Sequence, residues 1–196
     1  MAKLGLQYPV WAPLTETVGA NGVVTEAVGT GMVMGKLVDE STSLNLAESN
    51  FYADDGLDES VREFVSGTIS ETINDLSTAV ETALTGATAK TGTDIDGFDS
   101  TTNDSAPWGR HGLIEVHLIG GVKKYKAKVY HRVKYSPPDD SNATKGESVS
   151  LSGVGLTGIL SRSQATSKWR EVQWFTSLDA AKSFINGLCG ISSGNG

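Results

Sequence analysis

The sequence has little cysteine and no long apolar run. Cys189 is its single cysteine among 196 residues, so no internal disulfide can form and a disulfide-stapled secreted scaffold is excluded. No stretch approaches the ~18 apolar residues of a membrane helix, and the first residues lack the apolar region of a signal peptide. We therefore expect a soluble protein made in the cytoplasm, without membrane contact.

Catalytic and metal-binding patterns are also scarce. His111, Glu115 and His117 share one face of a predicted strand, but no second cluster supplies further metal ligands at a recognisable spacing. His131 lies apart, and ordinary sheet histidines are the favoured interpretation. No serine has a nucleophile-elbow context, and Cys189 lies at the end of a terminal helix. The sequence predicts no enzyme, metal or cofactor.

Two short patterns resemble ligand motifs without the required context. Gly153, Gly155 and Gly158 match G-x-G-x-x-G, but their surroundings keep the period of two of a strand, whereas a dinucleotide motif opens a helix. Residues 94–99 resemble the start of a calcium loop that lacks the oxygen ligand and the Glu required at its fifth and twelfth positions. A strand and a solvated turn are favoured.

Residues 61–86 contain the clearest periodicity. Val61, Val65, Ile69 and Ile73 share one parity, which predicts a half-buried strand. A helix follows, since apolar residues then recur at helical spacing. These residues are Leu76, Ala79, Val80, Ala83 and Leu84. So short a helix must pack on a neighbour, and the strand's apolar face is the nearest one.

Capping residues and turns delimit the other predicted elements. Asn74 or Asp75 is expected to begin the first helix and Gly86 to end it. The final helix begins at Thr176 or Ser177. Turn dipeptides lie at residues 21–22, 55–56 and 120–121, between extended segments. The predicted extended segments are 32–48, 61–73, 111–119, 122–135, 149–160 and 169–174.

The order of elements predicts an α+β, mainly β, single domain over residues 1–190. It contains an N-terminal segment, 1–30, and a long loop, 87–108, without periodicity, which we expect to be mobile or ordered by a partner. Residues 191–196 are predicted to be a flexible tail.

Charge is separated along the chain despite a net charge of −7. Residues 39–75 carry ten acidic residues against Arg62 alone, and residues 122–135 are net +6. Alternation predicts that the basic side chains of the second segment share one strand face. They are Lys124, Lys126, Lys128, Arg132 and Lys134. This face has three interpretations: edge protection, a phosphate-contacting surface, or a contact with the acidic segment of another copy. The third is favoured.

Several segments together resemble the major tail protein, or tail tube protein, family of long-tailed non-contractile bacteriophages. The likeness covers most of residues 31–187 and is weak over residues 1–30. It is carried by residues 51–59, 66–70, 74–76, 84–86, 106–108, 125–138, 144–149, 174–176 and 179–181.

The resemblance implies a β-sandwich or barrel-like domain with a flanking helix and a short C-terminal helix. It also implies a virion tail location, hexameric rings that stack into a tube, and passage of the genome through the lumen without specific binding. Tape measure, tail terminator and distal tail proteins are the implied partners besides the chain itself. A nucleic-acid-binding module using residues 122–135 is the alternative.

Charge and the resemblance to this family together predict which residues form the assembly interface and which line the lumen. The self-assembly interface is predicted to contain the basic face together with four acidic residues, Asp54, Asp55, Asp58 and Glu59. An acidic lumen would repel DNA phosphates. Asp39, Glu40 and Glu48 are predicted to line it.

Overall fold

A computed structural model describes residues 2–54, 56–90, 92–93, 95–138 and 153–192. Eleven strands and two helices occur in this part of the chain. They are β1 (Ala2–Val18), β2 (Val24–Val28), β3 (Met32–Val33), β4 (Leu37–Ala53), β5 (Gly56–Ile73), α1 (Thr78–Thr85), β6 (Thr88–Ala89), β7 (Phe98–Asp99), β8 (Gly109–Ile119), β9 (Val122–Tyr135), β10 (Val154–Ser161), β11 (Arg170–Phe175) and α2 (Leu178–Leu188).

A nine-stranded antiparallel sheet dominates the fold and confirms the mainly β prediction. Its strands follow the order β2-β1-β8-β9-β10-β5-β4, with β3 also pairing with β1 and β11 with β9. Strand β9 is long enough to pair with β11 through its first half and with β10 through its last residues. The N-terminal segment, weakly patterned in the sequence, supplies the long strand β1.

Each face of the sheet is covered by one helix. Helix α1 contributes Val80 and Leu84 to a cluster that also contains Ile69 and Ile73, which confirms the predicted helix-on-strand packing. Helix α2 packs Ala181 and Ile185 into a second cluster against β1, β8 and β9. Neighbouring residues of one strand alternate between the two clusters, as the period of two requires.

The sheet curls, because side chains of strands that are not neighbours meet across the first cluster. Lys128 of β9 and Glu40 of β4 form an ion pair of 3.3 Å, although β10 and β5 lie between these strands. The interior of the curled sheet is therefore the face that carries α1 and the first cluster.

Most predicted boundaries agree with the structure, and one cap was wrong. Ser77, not Asn74 or Asp75, caps α1, and the Asn74 side chain instead accepts a 2.6 Å hydrogen bond from the Lys36 backbone. Gly86 ends α1 in the left-handed conformation and Ser177 caps α2, as predicted.

The predicted turns join paired strands, and residues 153–158 form strand rather than a nucleotide-binding turn. Gly120 and Gly121, both with positive φ, connect β8 to β9. Residues 154–161 form β10. The predicted loop 87–108 contains the small β6–β7 pair, so it is not wholly irregular. Asp94, residues 139–152 and the last four residues lie outside the described chain. No helix in the described ranges has the length and apolarity to cross a membrane.

Candidate assembly surfaces

A β-bulge divides the basic face predicted on β9. His111 pairs with Tyr130 and Gly109 with Val133, so β9 advances three residues while β8 advances two. Such a bulge reverses which face the following residues present. Lys126 and Lys128 therefore share the interior face with Tyr130, whereas Arg132 and Lys134 lie on the opposite face.

On the interior face, Glu115 forms ion pairs with three lysines of its own chain. Its carboxylate lies 2.7 Å from Lys128, 3.0 Å from Lys3 and 3.4 Å from Lys126. Burial by itself would raise the pKa of Glu115, but hydrogen bonds from Lys128, His117 and Lys3 hold it well below its ordinary value. Glu115 thus stays ionised and compensates the charge of Lys128, the buried one of the three lysines.

Glu40, predicted to line a lumen, instead belongs to this interior network. Thr42 donates a 2.7 Å hydrogen bond to its carboxylate and Tyr130 one of 2.8 Å. Burial opposes ionisation of Glu40, yet these bonds and Lys128 lower its pKa. Burial also raises the pKa of Tyr130, which keeps its proton for this bond. The prediction of a lumen-facing Glu40 is wrong.

On the opposite face, Arg132 is held by a carboxylate and an aromatic ring. Its guanidinium makes two hydrogen bonds to Glu16, of 2.7 and 2.9 Å, and lies 3.7 Å from the Trp108 ring centroid. Lys134 lies 6.0 Å from the same ring. A bidentate pair stacked on an aromatic ring fixes the arginine in place.

The prediction that these five basic side chains share one strand face is therefore wrong. Lys128 and Arg132 are each only 8% exposed and are paired inside the chain. Neither a phosphate-contacting surface nor a contact between copies can therefore use these two residues. Lys124 is half-buried near the β8–β9 turn and remains accessible.

The histidines lie in separate sheet environments. His117 lies 3.1 Å from Glu115, as their shared strand face suggests. Buried His111 instead lies 2.7 Å from Glu71, which also accepts a hydrogen bond from Tyr135. Glu71 lies on the same face of β5 as Ile69 and Ile73. An acidic residue on this apolar face indicates a buried polar contact, and it is the signal by which the contact could have been predicted.

His131 also has a carboxylate neighbour. It lies 3.4 Å from Glu171, and burial together with nearby Arg110 lowers its pKa. In the described residues no three His, Cys, Asp or Glu side chains are grouped to hold a metal. Burial raises the pKa of the Cys189 thiol to about 12, so the thiolate that a nucleophile requires is disfavoured.

The largest uncovered feature is a long hairpin formed by β4 and β5. Strand β5 pairs with both β4 and β10 from Gly67 to Ile73, but only with β4 from Gly56 to Ser66 within the described chain. We call residues 44–66 the arm. Ten residues of extended strand give it a length of about 30 Å.

The arm is apolar for a surface element. Its exposed apolar residues, between 39% and 66% accessible, lie on both strands. They are Leu44, Leu46, Phe51, Tyr52, Leu57, Val61 and Val65. An exposed apolar hairpin with unpaired edges is a template for strand pairing with another chain.

The base of the arm is anchored where β10 stops. The register shifts between Asn45 and Leu46, and the bulged strand leaves the sheet beyond the end of β10. Phe64 stacks on Trp169, with ring centroids 4.5 Å apart. The sequence did not indicate this contact, because the two residues are far apart in the chain.

The acidic candidates on the arm are accessible. Asp54 adopts positive φ at the turn, and Asp58 and Glu59 are exposed on β5. Asp55 lies outside the described residues. Glu48 pairs with Arg62 at 2.9 Å across the arm, and a hydrogen bond from Arg62 lowers the pKa of Glu48.

Asp39, the remaining lumen candidate, is exposed near the start of β4.

Comparison of the sequence with protein-family models finds no match, and comparison with curated proteins finds none.

Proposed function

We propose that this chain is a structural subunit that joins with copies of itself into rings, and that the rings stack into the tail tube of a long-tailed bacteriophage. The arm is the observation that carries this proposal. The order of motifs that resembles tail tube proteins supports the particular assembly, including hexameric rings and passage of the genome through the lumen.

The physical argument concerns how the arm becomes stable. A two-stranded hairpin is marginally stable in water, and three or more strands are needed for an independent sheet. Neighbouring copies that supply the missing strand edges and cover Phe51, Tyr52 and Leu57 would convert the arm into part of a larger sheet. A ring uses one such contact repeatedly, since each copy offers both of its sides.

The charge of the arm agrees with a conduit for DNA. Away from the tip of the arm, Glu63 is exposed, and Arg62, the one basic residue of the arm, already pairs with Glu48. An excess of negative charge repels phosphates, so a genome would pass such a surface without being held. Tape measure, tail terminator and distal tail proteins are the other proposed partners.

Negative-stain microscopy and sedimentation of the purified protein test the proposal. We expect rings or tubes whose abundance rises with concentration. A chain that stays monomeric at high concentration would contradict the proposed function.

A variant pair sharpens the test. Phe51→Ser with Tyr52→Ser should leave the monomer folded and raise the concentration needed for assembly by about tenfold or more. Val23→Ser, at an exposed apolar position away from the arm, is the matched control and should assemble normally.

A further inference from the structure

We infer that the tip of the arm of one copy binds the turn between β8 and β9 of the next copy in the same ring. The inference rests on the proposed function and names the two surfaces that meet. We call them the arm tip and the basic turn. The arm tip contains Phe51, Tyr52, Asp54, Leu57, Asp58 and Glu59. The basic turn contains Lys3, Leu4, Leu118, Val122, Lys123 and Lys124.

The arm tip combines apolar side chains with carboxylates. Phe51, Tyr52 and Leu57 are each more than half exposed. Asp58 and Glu59 are exposed beside them, and residues 51–59 contain no basic residue. The chemistry that fits this surface is an apolar patch bordered by cations.

The basic turn has that chemistry. Leu4, Leu118 and Val122 are exposed large apolar residues at the ends of β1, β8 and β9. Lys123 is exposed and Lys124 half-buried at the same place, and residues 116–126 contain no acidic residue. Unlike Lys128 and Arg132, these two lysines have no ion pair among the described residues.

The register of the sheet places both surfaces at the same level. Tyr135 of β9 and Ile69 of β5 both pair with Gly158 of β10, so they lie in one row across the sheet. From this row, β9 runs back to Val122 and β5 back to Gly56, the same number of residues. The arm tip and the basic turn therefore lie toward the same end of the sheet.

A rotation axis keeps every element at its own height. Two surfaces at one level along the strands can thus meet between neighbours in a ring whose axis follows the strands. Within the described chain no ion pair joins the arm tip to the basic turn, and apart from Lys3, which pairs with Glu115, their charged side chains form none, so those charges are left for another copy. A second copy is the partner that presents both surfaces at once.

Charge exchange tests the contact. Asp58→Lys with Glu59→Lys should abolish rings, and so should Lys123→Glu with Lys124→Glu, because like charges then face each other. Mixing the two variants should restore rings in which they alternate, because the basic arm tip of one then meets the acidic turn of the other, and a single chain carrying all four changes also restores every pair. We expect that chain to form rings, with at least about a tenfold recovery in the concentration required. Lys36→Glu and Asp96→Lys, at exposed positions elsewhere, are the controls.

Each result decides the inference. Rings from both reversed variants would overturn it while leaving the proposed function intact, and rings that fail only to stack would place the contact between rings instead. Failure of the four-change chain to recover, despite a circular dichroism spectrum and melting temperature like those of wild type, would also overturn it. A wild-type protein that never assembles would contradict the proposed function itself.

Cross-linking gives a second readout that does not depend on charge. Asp58→Cys with Lys124→Cys, treated with a flexible thiol-reactive linker, should give a ladder of covalent oligomers, while each single variant gives none beyond dimers. Cys189 is buried and does not interfere. Linkage within one chain, or no linkage, would overturn the inference.

Discussion

The two halves of β5 carry a similar alternating pattern in different surroundings. From Gly67 to Ile73 the strand lies between β4 and β10, and Ile69 and Ile73 are fully buried. From Gly56 to Ser66 it pairs, among the described residues, with β4 alone, and Val61 and Val65 are about half exposed at 43% and 51%. The same spacing of β-branched residues therefore serves a core in one half and an open surface in the other.

Alternation therefore shows that a strand has an apolar face that must be buried. It does not show whether the same chain or another copy buries that face. In the body of the sheet, side chains of β10 and α1 bury the apolar face of β5. On the arm, the described chain offers only the Trp169 ring, which covers Phe64 at the base. The remaining apolar side chains are available to another molecule.

The largest contrast should come from truncating one residue in each half. Ile69→Ala leaves a cavity in the first cluster and should lower the free energy of unfolding by about 2–5 kcal/mol. Val61→Ala should change it by no more than about 0.5 kcal/mol. Urea denaturation of the monomer measures both values. An equal loss at Val61 would mean that the chain itself covers the arm.

A somewhat smaller contrast should come from removing a carboxylate from each region. Glu115→Gln leaves Lys128 partly uncompensated and should cost about 2–4 kcal/mol at pH 7. Glu63→Gln on the exposed arm should have an effect within about 0.5 kcal/mol.

The pH dependence of unfolding provides the check. Because the pKa of Glu115 is lowered in the folded state, its contribution is present above its ordinary value of 4.5 and is lost as pH falls below it. Wild type should therefore lose more stability than Glu115→Gln between pH 5 and pH 3. Parallel curves for the two proteins would contradict the assigned role of Glu115.

Local patterns predicted most of the fold. Alternation located β4, β5 and the strands from β8 to β11, but not the short β6 and β7 inside the predicted loop. Gly86 and Ser177 marked helix ends because capping depends on neighbouring residues. The Asn74 side chain was misassigned because its partner, the Lys36 backbone, lies far away in the sequence.

Long-range geometry explains what the sequence left out. The bulge at residues 130–133 moves Arg132 to the face opposite Lys128, and alternation assumes an uninterrupted strand. The acceptor of Arg132, Glu16, belongs to a segment with a weak pattern, and the curl of the sheet brings Glu40 to Tyr130. Such partners are fixed by tertiary packing, so the charge totals of two segments did not show which charges remain accessible.

A small effect on stability, with the greatest effect on assembly, is expected from shortening the arm. Asn45 and Ser66 are paired, so an Asn-Gly turn can join them in place of residues 46–65. The deletion removes the Phe64–Trp169 stack, which contributes about 0.5–1.5 kcal/mol, and little other buried surface. The melting temperature should fall by only about 2–6 °C, while sedimentation should show monomers at concentrations where wild type forms rings. If the rest of the chain unfolds when the arm is deleted, the arm is an integral part of the fold, which would contradict this prediction.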